Sequence, residues 1–316
     1  MGLYNNPDEI AMAVIDPNLA ASAVNSAVTK GFSLPVPISG ADVSSQGFNS
    51  SVDLLNGGAF EVNSWATHKT YAFGWGQSES PKVASKLSAL RNGSYGRGTI
   101  HFADPMYYKT NILHKFLADP SMAEGGEAPV LMNPDYVSPY FSDTPANDLD
   151  LPTRQVTYMR PASPSGTSYG TMAGRFYIPI PPGHTCTTGM IGERVSGTPG
   201  MVLYRQDGLV TQTYSSLPIP ISAGVVTNSA IHNPTSEVKV LAGSIIISAG
   251  SSLTINGVTA RMFGPGEPVT HEGPWYSGEG HSGCRFEGAV SLANYNGVGE
   301  GQVSLSATFK ETGAWE

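Results

Sequence analysis

The chain has 316 residues, of which 40% are hydrophobic and only 13% are charged, and its formal net charge is −8. An acidic chain without clusters of Lys or Arg argues against binding to nucleic acid or to an anionic membrane surface. The 37 Gly and 24 Pro residues, with plentiful aromatic and β-branched residues, indicate a turn-rich β protein and exclude a disordered chain. A surface this poor in charge is typical of subunits that lie against their neighbours.

The N-terminal residues predict no targeting segment. Met1–Asn6 has no basic start and no apolar core follows it, so a secretion signal is not expected. The longest apolar stretch, around Leu241–Ala249, is interrupted by Gly243 and Ser244, which argues against a membrane span. We therefore expect synthesis in the cytoplasm and no insertion into a membrane.

Two stretches near the N-terminus leave alternatives open. In Ala11–Val28 the alanines favour a helix, but Asp16-Pro17-Asn18 interrupts it. Ser33–Ser39 alternates around Pro35 and Pro37, and prolines cannot donate to a β-ladder. This stretch is therefore predicted as an edge strand or as an extended arm that could reach a neighbouring subunit.

Residues 1–138 predict an α+β unit with a single helix. A hairpin is expected around Asn56-Gly57-Gly58, because Asn and Gly accept the positive φ of tight turns. Pro81 then begins the clearest helix and Gly93 ends it. Gly98–Ala103 follows as a strand, so the order of elements predicts a sheet with one helix across a face.

The remainder of the chain predicts a linker and a β-sandwich. Residues 139–152 are rich in Pro, Ser, Asp and Thr and are assigned as the linker. Residues 153–316 contain about seven to nine short strands, with Asn256-Gly257 as a hairpin turn signal, which predicts a jelly roll. The whole chain is therefore expected to be mainly β with a little α. The predicted strands are Gln155–Arg160, Gly174–Pro179, Met201–Arg205, Leu209–Ser215, Val238–Ser248, Ser252–Phe263, Arg285–Tyr295 and Gln302–Glu311.

Two parts of the sequence resemble a known family. Tyr95–Ala118 reads YGRGTIHFADPMYYKTNILHKFLA, in which a strand ends in Asp-Pro and an Asn-x-Leu segment follows. The second part is Ser252–Phe263, SLTINGVTARMF, with Arg285–Trp315, RFEGAVSLANYNGVGEGQVSLSATFKETGAW. Both are similar to minor tail proteins of long-tailed bacteriophages, particularly those of actinobacteria. The architecture also resembles that of distal tail proteins, with a ring-forming N-terminal domain and an outward jelly roll.

The resemblance implies a structural role at the tail tip of a virion. Residues 1–138 would contact other copies in a ring and the tail tube, hub and tape-measure proteins. Residues 153–316, similar to a carbohydrate-binding module, would face glycans of the host surface. No enzymatic activity, nucleic acid or membrane insertion is implied. The alternatives are a stand-alone glycan-binding protein, a secreted glycan-active enzyme, and a capsid or collar decoration protein.

An aromatic pair is the candidate glycan-binding site. Trp275 and Tyr276 lie between Gly-Pro and Ser-Gly, so they are expected on a loop, where an aromatic face can stack on a sugar ring. His271 and Glu272 would add polar contacts. The alternative is that Trp275 folds back and caps the sandwich.

Four residues form a candidate zinc site. His184 and Cys186 would share one side of a strand, and His281 with Cys284 would complete a tetrahedral ligand set. Two alternatives remain, a disulfide between the two cysteines, or two buried thiols with two loop histidines. Zinc is the one cofactor considered for this chain.

No complete catalytic motif is present in the sequence. Gly280-His281-Ser282-Gly283 lacks the spacing of a hydrolase nucleophile elbow. The glycines near the helix follow it, whereas a phosphate loop precedes its helix. Glu267, Glu272 and Glu279 share a loop region, but a glycosidase needs a defined separation between its carboxylates that sequence proximity does not provide. We expect solvated loop acids and no enzyme.

Overall fold

A computed structural model describes residues 9–15, 28–37, 41–53, 59–76, 80–125, 137–144, 151–159, 169–171, 176–196, 200–206, 226–248, 250, 252–269, 275–278, 280, 283–295 and 302–312. Within these residues the chain is mainly β, and one α-helix is longer than a single turn. The predicted fold class is therefore confirmed. None of the helices in this part of the chain is long and apolar enough to cross a membrane.

The elements are numbered in chain order. The helices are α1 (Ser80–Arg91) and α2 (Lys115–Ala118), with 3₁₀ turns at Pro105–Tyr107 and Pro120–Gly125. The strands are β1 (Glu9–Ile15), β2 (Val28–Pro35), β3 (Ala41–Asp53), β4 (Ala59–Trp75), β5 (Thr99–Phe102), β6 (Val137–Asp143), β7 (Arg154–Met159), β8 (Tyr169–Thr171), β9 (Phe176–Ile180), β10 (Thr185–Ser196), β11 (Gly200–Gln206), β12 (Val226–His232), β13 (Lys239–Ser248), β14 (Ser252–Phe263), β15 (Cys284–Tyr295) and β16 (Gln302–Glu311).

A seven-stranded sheet joins both parts of the chain, in the order β2-β1-β5-β15-β16-β4-β3. The predicted division differs from this pairing, since it placed β15 and β16 in the C-terminal sandwich of residues 153–316. Cys284 instead pairs with Ile100, and Leu305 with Trp75. Period-2 alternation reveals that a segment is a strand, but it carries no information about the partner strand.

One face of this large sheet packs against α1. Tyr71, Phe73 and Trp75 alternate on β4 as predicted, and all three are buried with Leu87 of the helix. The helix ends at Arg91, and Gly93 lies in the turn that follows, where φ is +74° and the backbone amide donates to the Leu90 carbonyl at 3.0 Å. Glycine accommodates this left-handed conformation without strain.

The ambiguous N-terminal stretch begins with a strand, β1, that lies between β2 and β5 in the large sheet. Residues 10–15 of β1 are all buried, because both faces of this strand are covered. Met12 shares the core with Phe102, its register partner, whereas Ala11 and Ala13 lie on the opposite face. Strand β2, which contains Pro35, forms an edge, the position predicted for this proline-containing stretch.

The sandwich consists of a five-stranded sheet, β12-β10-β14-β7-β6, and a smaller sheet in which β13 pairs with β11, β8 and β9. Val156, Leu253, Met262 and Leu241 are buried between the two sheets. The predicted linker, 139–152, is in part a strand, since β6 covers Val137–Asp143 and pairs with β7. Its Pro and Ser residues are tolerated because β6 is an edge strand.

The smaller sheet of the sandwich also contacts the large sheet. Every residue of β9 is buried. Phe176 and Ile178 lie in the sandwich core, whereas the Tyr177 ring is 5.4 Å from the ring of His101 on β5. The protein is therefore a stack of three β layers, with α1 on the outside of the large sheet.

A two-stranded ribbon, residues 45–53 of β3 and 59–69 of β4, extends from the large sheet. The β16 strand pairs with β4 only at residues 70–75, so in the described part of the chain the ribbon strands pair only with each other. The ribbon reaches roughly 35 Å at about 3.3 Å per residue. The predicted hairpin is confirmed, although its turn, Asn56-Gly57-Gly58, lies outside the described residues.

The predicted hairpin turn at Asn256-Gly257 is wrong. Both residues lie inside the continuous strand β14, at a shift in its register with β10. A glycine is required there for a different reason, because a Cβ atom on Gly257 would meet the indole Nε1 of Trp275 at 2.5 Å. Another predicted strand, Leu209–Ser215, lies outside the described residues.

Candidate functional site

The face of the five-stranded sheet that points away from the sandwich core is called the outer face here. On β14, Val258, Ala260 and Met262 belong to the core. Since side chains alternate along a strand, Gly257, Thr259, Arg261 and Phe263 lie on the outer face. The contacts of the predicted aromatic pair are made on this face.

Trp275 folds back onto the sheet. Its indole lies over Gly257, is half-buried and packs against residues of the sandwich core. Its Nε1 atom is buried without a hydrogen-bond partner. This is the capping arrangement that the sequence left open, and it leaves Tyr276 as the more accessible ring of the pair.

Tyr276 is exposed over 41% of its surface. The guanidinium carbon of Arg261 lies 5.9 Å from the centroid of the Tyr276 ring, and Arg261 Nε donates to the Thr110 carbonyl at 3.2 Å. Burial lowers the pKa of Arg261, although a guanidinium remains charged in proteins. Tyr276 therefore presents a flat apolar ring beside a fixed positive charge.

A second ring and cation lie next along β14. The ammonium of Lys109 is 4.5 Å from the centroid of the Phe263 ring and forms an ion pair with Glu267. Glu267 also accepts a hydrogen bond from the Gly264 amide at 2.6 Å. The hydrogen bond from Lys109 lowers the pKa of Glu267, so the Glu267 carboxylate stays ionised. It is held in place by Lys109 and by the Gly264 amide.

Asn111 holds the aromatic pair in place, and sequence analysis did not single it out. Its Nδ2 donates to the carbonyls of Val258 at 2.9 Å and Tyr276 at 3.0 Å. Its Oδ1 accepts from the amides of Ala260 at 3.0 Å and Leu113 at 3.3 Å. The carboxamide therefore replaces a backbone peptide at the edge of β14. The Asn-x-Leu motif was the available signal, but its partners are distant in sequence.

The loop after Tyr276 is pressed against the segment that contains Asn111. A Cβ atom on Gly278 would collide with the Leu113 carbonyl, and one on Gly280 with the Ile112 carbonyl. The Gly280 amide donates to the Leu113 carbonyl at 2.9 Å. Such contacts between backbones leave no room for a side chain at these two positions, so Gly278 and Gly280 are tightly packed.

A buried polar cluster connects this loop to the base of the ribbon. Lys69, the last ribbon residue of β4, donates from its backbone amide to Glu311 at 2.7 Å and from its ammonium to the Gly280 carbonyl at 3.4 Å. The other Glu311 oxygen lies 3.8 Å from His114 Nε2. The His114 Nδ1 atom accepts from the Phe116 amide, so Nε2 carries the hydrogen directed at Glu311.

The two cysteines of the predicted zinc site lie in different cores. Cys186 lies in the sandwich core and Cys284 in the core of the large sheet, and both are free thiols. Burial raises the pKa of each thiol. His184 is buried, and its Nδ1 lies 3.0 Å from the Pro182 carbonyl. Among the described residues no group of three His, Cys, Asp or Glu side chains could hold a metal.

Several predicted residues fall outside the described part of the chain. They are His271, Glu272, Glu279 and His281. The roles of His271 and Glu272 as polar contacts to a glycan, of Glu279 as a solvated loop acid and of His281 as a zinc ligand remain predictions.

The fold and the site define a mainly β protein whose sandwich presents an aromatic ring beside a guanidinium. No family model matches the sequence. No curated protein matches it either.

Two solved structures are similar to parts of the chain. One is the enzymatically active domain of tailspike protein 4 of bacteriophage CBA120, at 14% identity and a TM-score of 0.28, over 40% of this chain and 18% of that domain. The other is the carbohydrate-binding module TmCBM61, solved with β-1,4-galactotriose, at 13% identity and a TM-score of 0.28, over 48% of this chain and 98% of the module. At a TM-score of 0.28 neither similarity supports an assignment of the site, which is described from its own contacts.

Proposed function

We propose that the protein is a structural component of a bacteriophage tail tip, which assembles through its large sheet and breaks no bonds. Tail tube, hub and tape-measure proteins would be its neighbours in the virion. The observation that carries the assembly role is the ribbon. An isolated two-stranded ribbon is marginally stable in water, so one of this length needs a partner surface. The low charge of the chain and its resemblance to minor tail proteins support the same role.

The register gives the ribbon two different faces. One face has an apolar residue in each cross-strand pair, and the other is almost entirely polar. We propose that the first face contacts a different surface of a second copy of the chain, because such a head-to-tail contact forms a ring when its rotation closes. The pairs of the first face are Phe48 with Ser64, Ser50 with Val62 and Val52 with Phe60; those of the second are Asn49 with Asn63, Ser51 with Glu61 and Asp53 with Ala59.

The test is a pair of matched charge substitutions. V52K combined with F60E places a Lys opposite a Glu on the first face, and N49K combined with N63E does the same on the second. Light scattering behind size exclusion should show closed oligomers for the wild type and the second variant, and monomers for the first. A monomeric wild type, or a first variant that assembles like the wild type, would contradict the proposal.

We propose a second role, contact with a host-surface glycan at Tyr276. Its exposed ring is held by Asn111 and lies beside Arg261, an arrangement suited to stacking on a sugar. A stand-alone glycan-binding protein would use the same surface, and the oligomeric state separates that alternative from a tail component.

The glycan role is tested by replacing Tyr276, with a second exposed tyrosine of the sandwich as the control. Y276A should lower affinity for any glycan that the wild type binds on an array by about thirtyfold, the loss of roughly 2 kcal/mol typical of a central aromatic contact. The control is Y140A, since Tyr140 on β6 is 65% exposed. Equal losses in both variants, or a wild type that binds no glycan, would argue against the role.

A further inference from the structure

The peptide bond between Asp104 and Pro105 lies just after β5, where the chain crosses from the large sheet to the sandwich. Asp104 is the N-cap of the 3₁₀ turn Pro105–Tyr107, with φ −75° and ψ 121°. Its Oδ1 accepts from the Met106 amide at 3.0 Å. Its Oδ2 is buried and has no hydrogen-bond partner among the described residues. One carboxyl oxygen therefore holds the side chain against the turn, and the other is not engaged.

The surroundings of this bond favour its cleavage by the Asp104 carboxyl. The Asp104 carbonyl accepts from the Tyr107 amide at 3.0 Å, and such a donor stabilises the negative charge that develops when the carbonyl carbon is attacked. The Pro105 nitrogen has no hydrogen to donate, and once protonated it leaves as a secondary amine. Asp104 and Pro105 are half-buried and Met106 is 71% exposed, so water reaches the bond from this side.

The charged and titratable groups around Asp104 keep its acid form available. Burial raises the pKa of the carboxyl and outweighs the Met106 amide and Lys69 on β4, which lower it. Burial, followed by nearby charges that include Asp104, raises the pKa of both Tyr71 on β4 and Tyr108, so the two phenols stay neutral. The protonated carboxyl is therefore present at a higher pH than in an ordinary aspartate.

We propose that the protein cleaves its own chain between Asp104 and Pro105 under mildly acidic conditions. A carboxyl oxygen of Asp104 attacks the Asp104 carbonyl carbon, the bond to the Pro105 nitrogen breaks, and the carboxyl proton passes to that nitrogen. The cyclic anhydride left on Asp104 then takes up one water, which restores two carboxyl groups. The products are residues 1–104, with a new α-carboxyl group, and residues 105–316, with a new N-terminus.

The two products are expected to remain associated. Strand β5 pairs with β15, and β4 pairs with β16, so the large sheet contains strands of both products. Cleavage removes one of the two chain crossings between the large sheet and the sandwich, whereas the crossing from β14 to β15 remains. The cut is therefore visible only after the protein is denatured.

The experiment compares the bond in the folded chain with the same bond in the chain unfolded in urea. At about pH 6 an ordinary aspartate is almost fully ionised. Mass spectrometry of denatured samples should show residues 1–104 and 105–316, formed about tenfold faster or more in the folded chain, because unfolding removes both the raised pKa and the Tyr107 donor. The folded rate should fall as the pH rises through the raised pKa of Asp104, and the rate in urea should fall at a lower pH.

A second Asp-Pro bond, Asp119-Pro120, provides the matched control. Asp119 Oδ1 accepts from the amide and the hydroxyl of Ser121, at 3.0 and 2.5 Å, so two donors hold this carboxyl and its bond should be cut more slowly. D104N should abolish the cut after residue 104, whereas D119N should leave it unchanged. A folded chain that is cut there no faster than the unfolded chain, or a cut that persists in D104N, would overturn the proposal.

Discussion

The sandwich is built from strands that are consecutive in the sequence, whereas the large sheet is built from strands at the two ends of the chain. The sandwich strands come from a single stretch, β6 to β14, whereas the large sheet combines β1 to β5 with β15 and β16. The sandwich is therefore an insertion between two parts of one sheet. Folding of the large sheet requires contacts between distant residues, which cost more chain entropy than local ones. We therefore expect the large sheet to depend on the C-terminal strands β15 and β16, and the sandwich to remain folded without them.

The largest effect is expected from removal of residues 283–316. The large sheet would lose β15 and β16, and with them Phe309, which packs on Phe73 and Phe102. Hydrogen exchange should then show lost protection in β1, β4 and β5 while β7 and β14 of the sandwich remain protected. Retained protection in the large sheet would mean that the N-terminal strands fold without the C-terminal pair.

Substitution of Asn111 comes next. N111A removes the side-chain partner of four backbone groups, three of them buried, and should lower the free energy of unfolding by about 4 kcal/mol, measured in urea. Because Asn111 contacts Tyr276, amide exchange at 275–278 should also accelerate. The control is N233A. Asn233 donates to the carbonyls of Ile180 and Glu237, so its loss should destabilise the sandwich without faster exchange at that loop.

A smaller loss of stability is expected from a methyl group in the loop after Tyr276. G280A should cost about 3 kcal/mol, because its Cβ would collide with backbone atoms of Ile112, which cannot move aside cheaply. Gly266 provides the comparison, since φ is +75° there and nothing lies within 4 Å of an added Cβ. G266A should cost only the backbone strain, about 1–2 kcal/mol. Equal losses in thermal melts would show that the loop is not tightly packed.

The smallest expected effect is a pH dependence at Asp104. Burial raises the pKa of this carboxyl, although the Met106 amide donates to Oδ1 at 3.0 Å. Its Oδ2 is buried without a hydrogen-bond partner. The ionised carboxylate therefore destabilises the fold above its raised pKa, and this cost disappears as the pH falls towards the ordinary Asp value.

D104N keeps the Oδ1 acceptor and removes the charge. It should stabilise the protein by about 1 kcal/mol at pH 7 and by nothing below about pH 3.9. D143N, at an exposed residue paired with Arg154, is the control and should change stability little at pH 7. A stabilising effect of D104N that is the same at both pH values would show that desolvation of the charge is not its cause.

The sequence predicts elements well where one local signal decides. Alternation over Ser252–Phe263 and Gln302–Glu311 matched β14 and β16, and Pro81 with Gly93 marked the single long helix. The alanines of β1 favoured a helix in the sequence, but the segment is a strand. Small residues are also required on a strand where two sheets approach each other. Strand β10, with its interior Gly189 and Gly192, gave no clear alternation.

The site was less predictable because its contacts are long-range. The aromatic pair could be located from its Gly-Pro and Ser-Gly neighbours, but only tertiary contact with Gly257 separates the half-buried Trp275 from the exposed Tyr276. The role of Asn111 is visible only once its segment lies beside β14, and that of Arg261 only once Tyr276 lies near it. The pairing of β15 with β5 and of β16 with β4 was unpredictable for the same reason, since these partners are distant in sequence.

The central claim is that the large sheet assembles the protein through its ribbon while the sandwich remains available for ligands. The most direct measurement is light scattering with negative-stain imaging of the full chain beside a variant in which Asn-Gly replaces residues 49–63. That replacement ends the ribbon at the pair of Phe48 and Ser64. We predict closed oligomers for the full chain and monomers with an unchanged melting profile for the variant. A monomeric full chain, or a shortened variant that still forms the same oligomer, would contradict the claim.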